Sequence, residues 1–259
     1  MDPIKKVSLY YTQLTKSEKA TCDKIISEPF VIIENSILDA ANYFNVSSSS
    51  ISRLCKKLGY KGYSELRYTL SEYYKPHNDL ISIKKESKYS NIINNYQSSF
   101  ELLKATTYDT QIKTLVKYMH SKKTYALGLG LSSLPAKLLS HELYVEKQWI
   151  DCIDDNVRMN LLHHIADENS LFIIFSVIAK HKDMLEAIKK WKNRNSKVVL
   201  ITSNPDTPFL PYVDISFILP STTPIPIENT HSFHYLNNIP IYSAFVEFII
   251  YIYIYIQTQ

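Results

Sequence analysis

The sequence predicts two domains: an all-α helix-turn-helix head, then an α/β domain built on a doubly wound parallel sheet. Three observations predict it. Short segments with helix-capping residues fill the first part, and apolar runs alternate with helical segments from Lys123 onward. All four glycines fall in two short stretches, Gly59 and Gly62 in "KKLGYKGYSEL" and Gly128 and Gly130 in "YALGLGLSSLPAK". The 259 residues suffice for two modest domains, and 45% hydrophobic content suits real cores in both.

In chain order, "LTKSEKATCDKIISEP" reads as a helix in which Thr15 and Glu18 have capping-box spacing and Pro29 marks the stop. Ser36 and Asp39 repeat that spacing at the start of "SILDAANYF". The turn "NVS" follows, and Ser47 caps a third helix whose Ile51, Leu54, Cys55 and Leu58 share one face, with Gly59 placed to end it. Two short helices joined by a tight turn make a helix-turn-helix, whose second helix presents its N-terminal residues to base edges.

Those residues are Ser48, Ser49, Ser50 and Ser52, small hydroxyls that allow close approach, while Arg53 suits a bidentate contact with guanine. Net charge is only +4, so the distribution of charge carries the argument. Between Ser47 and Lys61 the charged residues are Arg53, Lys56, Lys57 and Lys61, with no acid, as phosphate anchoring requires. A three-helix bundle with a merely solvated basic face is the competing reading.

Polar "KPHNDLISIKKESKYSN" with Pro76 reads as a connector, dividing the chain into a head of residues 1–76, a linker and lead-in helix of 77–106, and a second domain of 107–259. From Lys123 the order is "TYALGLG", a helix through "PAKLLSHELYVEK", "QWIDCI", a helix near "NVRMNLLHHI", "LFIIFS", a helix "DMLEAIKKWKNRN", "KVVLITS" and "DISFILP". Continuous apolar runs such as Leu171 to Phe175 belong to strands covered on both faces, and ligands then belong at the C-terminal strand ends. The turn "GLGLSS" between strand and helix suits an anion held by backbone amides. A dinucleotide turn with Asp151 near a ribose is the weaker alternative, since Ser133 replaces the third glycine, and a purely structural tight turn is another.

In the tail, "IPIYSAFVEFIIYIYIYIQTQ", the run Phe248 to Ile256 is shorter than a membrane span and reads as a buried terminal element. Phe245, Phe248, Ile249, Ile252 and Ile256 form a helical stripe while IYIYIYI alternates like a strand, so helix and strand both stand. Cys22, Cys55 and Cys152 are odd in number and widely spaced, and no signal peptide is expected before them, which points to a reduced, cytoplasmic protein.

The stretch from Leu14 to Arg67, above all "VSSSSISRLCKKLGYKGYSEL", resembles the N-terminal domain of RpiR-type transcriptional regulators. That resemblance implies a winged or extended helix-turn-helix that binds operator DNA as a dimer. "GLGLSSLPAKLL", "FIIFS" and "VVLITSNPDTPFLPYVDISF" are similar to the sugar isomerase (SIS) domain that follows it in the same family. By that likeness Ser132 matches the hydroxyl of the first phosphate loop and Thr202 lies in the strand-end "IT" motif. The second loop departs from the family's Ser-x-Ser-Gly-x-Thr/Ser: Ser176 is retained, but Ile178, Ala179 and His181 occupy the other three informative positions. Lys180, His181 and Lys182 either replace the lost hydroxyls with charge or mark a loop released from ligand binding.

The expectation is therefore a transcriptional regulator with no cofactor, no metal and no membrane anchor, a homodimer or homotetramer on operator DNA. Its effector is a phosphorylated sugar at Gly128, Gly130, Ser132, Ser133, Ser176, Lys180, His181 and Thr202. A SIS domain that only dimerises is the runner-up. A phosphosugar isomerase is the distant alternative, its bases drawn from Glu142, Glu228, His231 and His234; the last three also sketch a weak metal triad.

Overall fold

The computed structural model describes residues 3–74, 88–227 and 233–258. The chain forms two compact units, Met1–Ser98 with Ser221–Leu236, and Ser99–Pro220 with Asn237–Gln259.

The first unit opens with α1 (Pro3–Tyr10), α2 (Lys16–Ser27), α3 (Pro29–Glu34), α4 (Ile37–Tyr43), α5 (Ser48–Lys57) and α6 (Tyr63–Tyr74). Thr15 and Glu18 complete the predicted capping box on α2, each side chain bonded to the other's backbone amide. Pro29 ends α2 and starts α3, because its fixed φ suits the first position of a helix. Ser36 accepts the Asp39 amide at the start of α4, but its hydroxyl donates to the Asp39 carboxylate, so only half of the expected box forms. The turn into α5 is set by Asn45, left-handed at φ 56°, with Val46 N–H bonding Ala41 O and Asn45 N–H bonding Asn42 O. Helix α5 ends the same way: Gly59 sits at φ 81°, Tyr60 N–H reaches Cys55 O and Gly59 N–H reaches Lys56 O. Ile51, Leu54, Cys55 and Leu58 are buried, as the stripe predicts. Residues 3–74 contain no strand, so the helices build the extended form of the motif and not the winged one.

Helix α7 (Lys88–Ala105) carries the chain into the second unit, followed by α8 (Asp109–Ser121), β1 (Lys123–Gly128), α9 (Ser133–Val145), β2 (Asp151–Ile153), α10 (Asn156–Leu161), β3 (Ser170–Phe175), α11 (Lys182–Lys192), β4 (Lys197–Thr202) and β5 (Ile215–Ile218). The five strands form one parallel sheet in the order β2-β1-β3-β4-β5. Every residue of β3 is buried because both faces are covered. One face packs Leu115, Leu139 and Leu143 of α8 and α9 on Ile173 and Val199; the other packs Met159, Ile188 and Trp191 of α10 and α11 on Phe172 and Leu200.

After β5 come the antiparallel pair β6 (Pro224–Pro226) and β7 (Phe233–Tyr235), then α12 (Ile239–Gln257). The described residues 221–227 and 233–236 group with the first unit, so one segment crosses the linear division that composition suggests. The tail is a helix throughout, and it begins at Ile239, well before the apolar run at Phe248. By length and composition alone α12 would cross a membrane, yet it lies against α8 and α9, burying Tyr242, Phe245, Val246 and Ile249. The expected stripe is partly corrected: Phe245 and Ile249 are inside, whereas Phe248 is 39% exposed.

Candidate functional site

The first turn of α5 presents the predicted hydroxyls. Ser47 caps the helix, its Oγ accepting the Ser50 amide at 3.1 Å and lying 2.9 Å and 2.8 Å from the Ser49 and Ser50 hydroxyls. Ser49, Arg53, Lys56, Lys57 and Lys61 are exposed, and Ser48, Ser50 and Ser52 are half-buried. Arg53 leans on Ser50 Oγ at 3.3 Å, which holds the guanidinium over the helix N-terminus, where base edges are read. A cavity of about 230 Å³ lies beside it, lined by Thr15, Glu18, Val46 and Ser50 among others.

The acid-free stretch of sequence is not acid-free in space. Lys57 Nζ lies 2.8 Å from the Glu18 carboxylate, the same group that caps α2. Lys57 and the Thr15 amide hold Glu18 below the usual carboxylate range. Lys61 offers its amide to Glu65, leaving its ammonium separate from that bond. Glu18 was legible only as a cap; its pairing with a lysine 39 residues away is set by how α2 and α5 cross.

In the second unit, β1 and β3 are neighbours although β2 lies between them in sequence, and their following helices cover opposite faces. This is the switch point of a doubly wound sheet, where a crevice opens at the carboxyl ends of the strands. Neither α9 nor α11 has a side chain bonded as its N-terminal cap, so the positive ends of both helices are available to an anion. Ser132 is half-buried and Ser133 is buried. Gly128 is there for the chain itself: a Cβ would lie 2.0 Å from Ser132 O, so only glycine lets the turn fold back. Gly130 takes φ 58° in the same turn.

The second loop keeps the glycine's backbone without the glycine. Ala179 adopts φ 49° and is buried. Such a conformation costs an ordinary residue roughly 1–2 kcal/mol, and the surroundings offset it. Ser176 Oγ accepts the Ala179 amide at 3.1 Å, Asn204 Nδ2 donates to Ile178 O at 2.8 Å, and Thr207 Oγ1 donates to Ala179 O. Thr202 is wholly buried, donating to Val177 O and accepting the Asn204 amide, both at 3.1 Å. These two bonds place the Thr202 hydroxyl beneath the loop. Lys180, His181 and Lys182 are exposed at the rim. Sequence reading missed Asn204 and Thr207; the "SNPD" turn signal was there, with Asn204 Oδ1 accepting the Asp206 amide at 3.0 Å.

Other candidates separate. Asp151 opens β2 level with Tyr125, three residues before Gly128 on the neighbouring strand. Glu142 lies in α9 and His234 is exposed on β7, while Glu228 and His231 fall outside the described residues. Among the described residues no three His, Cys, Asp or Glu side chains gather to hold a metal.

The sequence matches two family models, "Helix-turn-helix domain, rpiR family" over residues 1–77 and "SIS domain" over residues 117–247. The chain belongs to the RpiR family. Its relatives include an HTH-type transcriptional regulator of Clostridium perfringens, 24% identical over 75% of this chain and 73% of its own length. HexR of Pseudomonas aeruginosa, an HTH-type transcriptional regulator, is 20% identical over 74% of this chain and 70% of its own. Among solved structures, the Vibrio vulnificus NanR protein complexed with ManNAc-6P shares the fold, with a TM-score of 0.52, 17% identity, and coverage of 93% of this chain and 86% of that one.

Proposed function

We propose that this RpiR-family regulator reads operator DNA as a homodimer or homotetramer through α5. Ser47, Ser48, Ser49, Ser50, Ser52 and Arg53 face the bases; Lys56, Lys57 and Lys61 face phosphates. The observation that carries the reading is the α4–α5 pair, closed at both helix ends by left-handed caps, with its hydroxyls and Arg53 grouped on one exposed turn. The head is assigned to residues 1–76, the connector to 77–106 and the effector domain to 107–259. The protein acts in the cytoplasm, without a cofactor, and its role is regulatory and not enzymatic.

The effector is a phosphorylated sugar at the β1/β3 crevice. Gly128, Gly130, Ser132 and Ser133 shape the first wall, Ser176 the second, and Lys180 and His181 supply charge at the rim; Thr202 supports the loop from below. Support comes from the two uncapped helix N-termini and from the phosphosugar, ManNAc-6P, with which the NanR protein is complexed. Such a ligand alters DNA affinity only by preferring one arrangement of the assembly. Fluorescence anisotropy on the protein's upstream DNA, at fixed salt, with sugar phosphates and the corresponding free sugars, tests this. A shift with a phosphate and none with its free sugar is expected. Tight DNA binding that no phosphate moves would leave the second domain the task of spacing two heads.

A further inference from the structure

We infer that residues 221–227 and 233–236, joined by the β6–β7 pair, form a strap that transmits the state of the Val177–Ala179 loop to the reading head. The inference rests on the proposed effector crevice and names how that crevice acts. It starts from two sets of hydrogen bonds, one in each unit, joined by covalent chain.

At its roots the strap is tied to the residues that hold the loop. Thr202 Oγ1 and Ser203 N–H both bond Val177 O at 3.1 Å, and Asn204 Nδ2 bonds Ile178 O at 2.8 Å. The same stretch receives the chain that becomes the strap: Leu219 N–H donates to Thr202 O at 2.7 Å, and Ser203 Oγ lies 3.1 Å from Tyr242 Oη at the start of α12, where the strap returns. A displacement of the loop therefore acts on three consecutive residues, of which Thr202 and Ser203 also bond the chain flanking the two ends of the strap and Asn204 is bonded to Thr202.

At its far end the strap is moored to α7 and to the head, both within the first unit. Asn95 of α7 grips Thr223, Nδ2 donating to Thr223 O and Oγ1, each at 2.8 Å, and Oδ1 accepting the Thr223 amide at 3.0 Å. Thr222 Oγ1 closes the strap on Leu236 O at 3.0 Å. Tyr235 stacks on Tyr11 with ring centroids 3.4 Å apart, and both hydroxyls donate to Asp23 of α2, at 3.3 Å and 2.9 Å. Asp23 is 7% exposed, and a buried carboxylate depends on such donors. Helix α2 is the element whose Glu18 holds Lys57 of the reading helix, so the mooring lies one helix from the DNA face.

The test is amide hydrogen exchange on the full-length protein without ligand, comparing wild type, Asn204→Ala, Tyr235→Phe and the double variant. Exchange of the α2 amides, residues 16–27, is expected to rise several-fold in Asn204→Ala and in Tyr235→Phe, with the double variant no faster than Tyr235→Phe alone. Unchanged α2 exchange in Asn204→Ala, or the same factor in both backgrounds, would overturn the inference, because independent sites add. Ser203→Ala replaces Asn204→Ala if the latter does not fold. No sugar phosphate enters this experiment, so a protein indifferent to every phosphosugar would sink the effector reading and leave the strap test decisive.

Discussion

Two residues carry the sharpest expectations. Arg53 is the arginine of the reading helix and is pre-set by Ser50. Replacing it with alanine is expected to remove about 1–3 kcal/mol of preference for the operator while leaving affinity for unrelated DNA nearly intact, as read by anisotropy on operator and scrambled duplexes. Unchanged preference would mean that another element reads the bases. Ala179 carries a left-handed φ that suits glycine. Ala179→Gly relieves that strain but loses a buried methyl and adds chain entropy, so urea denaturation is expected to show a change within about 1 kcal/mol. Ala179→Val is expected to cost more than about 2 kcal/mol, since a β-branched side chain is excluded from that conformation in a packed site. This position also marks a limit of sequence reading. Glycine at 59 announces a left-handed residue, whereas alanine at 179 announces a helix or a core, and only the bonds from Ser176, Asn204 and Thr207 explain how it is held.

At the scale of elements, what was legible is what is local. Thr15, Ser36 and Ser47 each start a helix where their spacing places it, because a cap is decided within four residues. Thr15→Ala is expected to lower the stability of the head by about 1 kcal/mol in thermal or urea unfolding. The Glu18–Lys57 contact was not legible, since it joins helices 39 residues apart. It yields two expectations with opposite signs. Glu18→Gln should strengthen binding to any duplex and steepen its salt dependence by up to about 0.9 in log-log slope, by releasing one cation. The same change should weaken folding near neutrality. The folded carboxyl is held low, so its contribution is complete above the unfolded value of about 4.3 and is lost as pH falls through the folded one. The stability gap between wild type and Glu18→Gln should therefore narrow as pH falls below the unfolded value. The tail shows the converse difficulty: IYIYIYI satisfies two periodicities, and the choice is made by the hydrophobic face that α8 and α9 offer to α12.

For the whole molecule, the order of apolar runs and helices was enough to place the sheet, and the glycine pair at Gly128 and Gly130 was enough to find the β1 side of the crevice. The membership of residues 221–227 and 233–236 was not, because nothing in a short, proline-containing segment says which unit it will join. Ser132→Ala is expected to abolish the response of operator binding to sugar phosphate while ligand-free binding stays within about twofold, about 0.4 kcal/mol. A normal response in that variant would move the effector elsewhere.

The Tyr235 mooring has a consequence during synthesis. Tyr235 follows Asp23 by 212 residues. At about 5–20 residues per second, the helices of the head leave the ribosome roughly 10–40 s before the last donor for their buried carboxylate exists. The nascent head must keep Asp23 hydrated or rely on Tyr11 alone for that interval. The polar contacts of Asp23 are then completed only after almost the whole of the effector unit has been made.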